Sequence, residues 1–132
     1  MSAANALLTA IHARLSGDAA LTALIGENAI HDRLLDRTAA PYLVIGEMES
    51  RDWSTATEGG AEHFFSVAVR SRAEGRREAE RIAARIHALL HDAALSLDGF
   101  ALVNLLHLRT RTRREPKTAA FAAELFFRAV TE

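Results

Sequence analysis

The stretch Glu62–Asp92, EHFFSVAVRSRAEGRREAERIAARIHALLHD, decides the fold. It opens with a period of two: Phe65, Val67 and Val69 fall on one side, and Phe64, Ser66, Ala68 and Arg70 on the other. That alternation, rich in β-formers, predicts a strand. From Ala79 the period lengthens. Ala79, Ile82, Ala83, Ile86, Leu89 and Leu90 recur at i, i+3, i+4 and i+7, the single apolar stripe of a packed helix. Arg77, Glu78, Glu80, Arg81, Arg85 and Asp92 cover its other side. At the junction, Ser71 and Glu74 stand three apart as a candidate capping box, and Gly75 offers an alternative start. A strand running straight into a long amphipathic helix predicts a sheet with that helix laid across one face.

The 132 residues are the length of one domain, 1–132, with enough chain for a real core. Hydrophobic residues make up 49% and charged residues 25%, which is globular usage and not the composition of a disordered chain. A net charge of −1 argues against a protein that coats nucleic acid, which needs a broadly basic surface. There is no cysteine, so disulfides, thiolate catalysis and cysteine zinc sites are excluded. The N-terminal MSAANALLTAIHARL does not read as a signal peptide, and no apolar run approaches the roughly 20 residues of a spanning helix. The expectation is a soluble product made inside a cell, with no membrane association.

Working outward, Ser2–Leu15 reads as a helix capped by Ser2 or Asn5, with Leu7, Leu8, Ile11 and Leu15 as its stripe. Ser16-Gly17 ends it. Asp18 caps a second, short helix that runs through Leu24 and stops at Gly26, with Leu21, Leu24 and Ile25 buried. Ala29–Arg33 is a brief strand, and Leu34–Ala40 a connection. Pro41 starts a strand through Met48, and the four bulky residues Tyr42-Leu43-Val44-Ile45 suggest a central strand covered on both faces, a run too short to decide between this and other readings. The polar run Glu49–Ala61 reads as a connection carrying the lone Trp53, beside Ser54 and Thr55, with Gly59-Gly60 as its turn. After the long helix comes a turn at Asp98-Gly99. A strand over Ala101–Arg113 then sends Leu102, Leu106 and Leu108 one way, and Val103, Leu105, His107, Arg109, Arg111 and Arg113 the other. Glu115-Pro116-Lys117 breaks the run, and Phe121–Val130 returns as its hairpin partner. The expected fold class is α+β: a mostly antiparallel sheet of four to five strands with helices packed on one face.

Candidate chemistry is sparse. His87 and His91 stand four apart on the long helix, a spacing that can hold a metal; no third ligand is evident, although Asp92 and the other histidines could contribute from elsewhere, and Ala88 stands where a metalloprotease helix has its glutamate. No G-x-S-x-G motif or phosphate-binding loop is present. Asp52, Glu58 and Glu62 lie in or beside loops and are read as solvated. The reading is of a non-enzyme with no cofactor and no metal. Arg109, Arg111 and Arg113 are more informative: on a strand they share a face, with Arg114 and Lys117 at its tip. Such a face can meet phosphate or an acidic protein surface, or it can be a solvated face paired with Glu124. Trp53 in its polar loop reads equally as an interface anchor or as a residue folded back on the core. The interface candidates are Trp53, Thr55, Arg109, Arg111, Arg113 and Lys117.

A series of pieces in register completes the reading. They are Ala20-Leu21-Thr22-Ala23-Leu24-Ile25-Gly26, Ile30-His31-Asp32-Arg33, Ala40-Pro41-Tyr42-Leu43-Val44-Ile45-Gly46-Glu47 and Asp52-Trp53-Ser54-Thr55. Glu62 through Arg72, Gly75-Arg76-Arg77-Glu78-Ala79, Leu89-Leu90-His91-Asp92 and the ending Phe127-Arg128-Ala129-Val130-Thr131-Glu132 follow. In this order, and nearly end to end, they resemble the tail completion, or tail terminator, proteins of long-tailed phages and gene transfer agents. Leu34, Arg70 and the loop Glu115-Pro116-Lys117-Thr118 depart from the pattern. The resemblance implies a virion protein of the head–tail junction, assembled in the bacterial cytoplasm. It implies a homo-oligomeric, hexameric ring that ends tail-tube polymerisation, touches the tail tube protein and the head–tail connector or stopper protein, and lets DNA pass through its lumen without specific binding. It implies no catalysis. The alternative from the residues alone is a nucleic-acid-binding module using the Arg109/Arg111/Arg113 face.

Overall fold

A computed structural model describes residues 2–32, 40–72, 75–117 and 120–132. The chain runs α1 (Ala3–Ser16), α2 (Ala19–Ile25), β1 (Ile30–His31), β2 (Tyr42–Asp52), β3 (Ala61–Arg70), α3 (Arg76–Leu90), β4 (Leu102–Arg114) and β5 (Phe121–Thr131). The strands form one open sheet in the order β1-β2-β3-β5-β4, with β1 parallel to β2 and every other pair antiparallel. This is the α+β architecture that the alternation of periods predicts, with the helices layered on one face.

The core lies between that layer and the sheet. Phe65, Val67 and Val69 of β3 meet Leu43 and Ile45 of β2 and Ala123, Leu125 and Phe127 of β5, and the rings of Phe65 and Phe127 stack with centroids 5.3 Å apart. From above come the α3 stripe Ala79, Ile82, Ala83, Ile86, Leu89 and Leu90, and Leu7, Ile11 and Leu15 of α1. Each fully buried Leu, Ile or Phe contributes about 1.5–3 kcal/mol, so the stripe is what holds α3 to the sheet. The caps are local and follow the sequence: Ser2 accepts from the Asn5 N–H at 3.1 Å and Asp18 from the Leu21 N–H at 2.8 Å. Asp18 also receives both arms of the Arg85 guanidinium, at 2.6 and 2.9 Å, joining the start of α2 to α3. Those hydrogen bonds, Arg85 first and Leu21 second, hold the Asp18 carboxyl down at about 2. Arg85 is therefore not simply a solvated residue of the outer side of α3.

Three expectations change, and others fall outside the described residues. The helix α3 begins after Gly75, with no side-chain cap; Glu74, the other half of the candidate box, lies outside the described residues, and the Ser71 hydroxyl instead donates to the Phe121 carbonyl at 2.8 Å. The connection at 34–40 likewise falls outside them, apart from Ala40, as does Arg33 at the end of the short strand. The strand β2 does not end at Met48. Its polar half, Glu49–Asp52, pairs with Phe64–Ala61 of β3, because a hairpin arm needs cross-strand hydrogen bonds and not apolar side chains to stay extended. A bulge at Gly46–Glu47 turns the strand there, where a Cβ on Gly46 would overlap the Ser66 hydroxyl.

The simple alternation of β4 also fails. Register shifts between Leu102 and Asn104 and between His107 and Arg109 each insert one residue, Val103 and Leu108, and both side chains are 52% exposed. The parity reverses at each bulge. Leu105 is therefore fully buried beside Ala129 on the helix-covered face, and His107 packs on Phe127 there, while Arg109, Arg111 and Arg113 lie on the open face. No helix among the described residues is long and apolar enough to cross a membrane.

Candidate interaction surfaces on the open sheet

The three arginines of β4 do share a face. Arg109 lies opposite Phe126, with its guanidinium carbon 4.1 Å from the ring centroid; Arg111 lies opposite Glu124 and Arg113 opposite Ala122. All three are exposed. Glu124 accepts from the Ser66 hydroxyl at 3.3 Å and forms no ion pair with Arg111 among the described residues. Arg113 approaches Glu115 at 3.9 Å, and the same carboxylate is held more closely by Arg70. Lys117 is exposed in the turn beyond Arg114. The face therefore presents cations held by rings and by one shared carboxylate, with most of their charge uncompensated.

Trp53 and Thr55 lie at the other end of the sheet. Trp53 follows β2 directly, and its level is that of Leu102 at the start of β4. Counted along β5, the level of Leu102 is five residues from that of Arg109 and nine from that of Arg113, which puts the two groups roughly 17–31 Å apart. The loop is tightly tied. The Trp53 N–H donates to the Gly60 carbonyl at 2.9 Å, the Thr55 N–H to the Glu58 carbonyl at 2.8 Å, and the Glu58 N–H to the Thr55 hydroxyl at 3.0 Å. Thr55 thus shapes the turn. The Trp53 ring is 50% exposed and carries the Arg128 guanidinium at 5.3 Å, so it neither folds into the core nor stands free.

Behind Trp53 lies a group the sequence hid. Glu62 is 2% exposed, and its two carboxylate oxygens accept from Arg51 and Arg128 on the flanking strands. Burial alone would raise its pKa; the hydrogen bonds from Arg51 and then Arg128 prevail, and the net shift is downward. Glu62 is thus not solvated as expected: its partners are 11 and 66 residues away in sequence and meet it only through strand register. Next to it, on the opposite face, His63 is buried. Its Nδ1 pairs with the Ser50 hydroxyl at 2.6 Å and its Nε2 with the Thr131 hydroxyl at 2.9 Å, and burial lowers its pKa. Both ring nitrogens are held by hydroxyls, which ties β2, β3 and β5 together.

His87 and His91 gain the third histidine that their spacing lacked. His107 lies with its ring centroid 4.8 Å from that of His87, and its N–H donates to His91 Nδ1 at 3.0 Å. His107 Nε2 is in turn engaged by Thr110 at 2.7 Å. Ring contacts organise the trio, stacked between His87 and His91 and edge-on to His107, and among the described residues no group of three potential ligands is placed to hold a metal. Burial first, then the neighbouring His87 and His91, lower the pKa of His107.

Fold and surface define a small open-sheet α+β protein whose polar chemistry is spread over a face and two ends, not gathered in a cleft. The chain belongs to the tail completion protein gp17 family, whose profile matches residues 9–132. It is similar to a chain in the virion of a native gene transfer agent particle, with 35% identity and a TM-score of 0.89, over 99% of this chain and 98% of the other. A second solved structure, 17% identical with a TM-score of 0.63, shares the fold over 98% of this chain and 96% of its own. No curated protein sequence matches.

Proposed function

We propose that this chain is a structural tail-completion subunit of a phage or gene transfer agent particle, placed at the head–tail junction. It forms a ring, probed most directly as a hexamer, that ends tail-tube growth and offers one surface to the tube and another to the connector, with DNA passing through the lumen. The observation that carries this reading is the end-to-end likeness to a chain of a gene transfer agent virion. The surface is consistent with assembly: exposed arginines lie toward one end of the open face and the half-exposed Trp53 at the other, and the reading requires no catalysis. Trp53, Thr55, Arg109, Arg111, Arg113 and Lys117 are the side chains we assign to contacts with neighbours. Deleting the gene and imaging the particles tests the function. Overlong or headless tails are expected; tails of normal length already joined to heads would remove the reading.

The nucleic-acid alternative rests on the shared face of Arg109, Arg111 and Arg113. A net charge of −1 and the stacking of Arg109 on Phe126 weaken it. It requires DNA or RNA binding that falls steeply with salt.

A further inference from the structure

Resting on the ring reading, we propose that neighbouring copies join edge to edge, the Leu108–Arg114 part of β4 in one copy pairing antiparallel with the Gly46–Asp52 part of β2 in the next. The sheet ends at β4 on one side. Over Leu105–His107 its outward backbone is already occupied: the Leu105 carbonyl accepts from the Asp92 N–H at 2.7 Å, and the His107 N–H donates to His91. From Leu108 onward no described strand pairs with that edge, and among the described residues the His107 ring alone reaches its backbone, at Arg109. On the opposite side β1 covers β2 at Leu43 and Val44 alone, and no described strand flanks the rest of β2. Natural sheets shield long edges with proline, bulges or a covering element, or fill them with a partner. Neither free stretch contains a proline, and each has its bulge only at its first end, at Gly46–Glu47 and at Leu108.

The two free stretches fit one another. Strand directions alternate from β2 through β3 and β5 to β4, so a neighbour's β2 would continue the alternation with its helices on the same side. The free halves sit at opposite ends of the sheet, since Arg111 is level with Val44 and Asp52 with Leu102. Pairing them staggers one copy against the next, as the strands of any closed sheet are staggered. Their charges are opposite. Glu49 lies on the open face of β2 with Glu47 exposed at the bulge beside it, and neither forms an ion pair among the described residues. Directly opposed residues of an antiparallel pair share a face, so Glu49 meets Arg109 or Arg111. The same pairing carries the neighbour's Trp53 toward Leu108, which brings two half-exposed side chains into one joint. The contact is heterologous, and repeating it around an axis pairs both free stretches in every copy.

The absence of native cysteine makes the test clean. Opposed residues of an antiparallel pair lie within disulfide reach. The double variants E49C/R109C and E49C/R111C are oxidised and run without reductant, beside each single variant. One double variant is expected to give a ladder ending at the ring size, with the singles giving nothing above a dimer. As a second arm, E49R and R109E/R111E are each expected to lose assembly and to regain it when mixed, because a mixed ring has only complementary joints. Oligomers by native mass with no ladder and no rescue would overturn the edge pairing and leave the ring reading intact. A wild-type chain that stays monomeric at its highest soluble concentration would overturn both.

Discussion

The two faces of one sheet are held by different chemistry. On the helix-covered face, Phe65, Val67, Leu125 and Phe127 are sealed under α1 and α3, and cohesion comes from apolar area removed from water. On the open face the corresponding positions are Phe64, Phe126, Glu62, Arg51, Arg109 and Arg128, where guanidinium groups cover rings and neutralise one buried carboxylate. The difference teaches that the fold is secured from one side, leaving the other available for contacts. A substitution on the covered face should damage stability; one on the open face should damage assembly.

Phe127→Ala is the severest way to try that division. It removes a fully buried ring stacked on Phe65 and should cost about 3–5 kcal/mol in denaturant unfolding. A loss under 1 kcal/mol would mean the core is not where the covered face places it. Gly46→Ala comes next, at about 1–3 kcal/mol, because its Cβ collides with the Ser66 hydroxyl across the strands. Adding Ser66→Ala removes the colliding atom and should recover most of the loss; simple additivity in the double-mutant cycle would refute the collision.

Acid separates the faces through two adjacent residues. His63, on the covered face, has a lowered pKa, so the unfolded chain binds the proton more readily and stability falls as pH drops below 6.5. Glu62, on the open face, also has a lowered pKa; its contribution is complete above 4.5 and is lost as pH falls further. Asp18 follows the same sign, its share lost between 3.8 and about 2. Thermal melts across pH should thus show an upper phase that His63→Gln diminishes and a lower one that it leaves alone. A single acid phase untouched by that change would contradict the assignment. The smallest effect is expected from Arg109→Ala, about 0.5–1 kcal/mol from its ring contact, while the oligomer is weakened far more. Equal effects on both would erase the contrast.

Much of this was written locally. The stripe of α3, the alternation of β3 and β5, and the caps Ser2 and Asp18 each depend on residues within a turn or two, and the structure follows them. Where the reading failed, the missing information was distant. The two bulges of β4 are fixed by its pairing with β5, so the residues that face the helices could not be counted off in twos. His107 reaches His87 and His91 only because the edge of β4 runs beside the end of α3.

By itself, then, the sequence determined the elements, their order, the α+β class and a shared face for Arg109, Arg111 and Arg113, because hydrophobic periodicity and capping act over a few residues. Only the tertiary structure decided that Glu49–Asp52 is strand, that Glu62 is a buried partner of Arg51 and Arg128, and that Trp53 and the arginines occupy opposite ends. Those facts depend on register, bulges and sheet order, which are set by pairings between distant segments and leave no local periodicity to read.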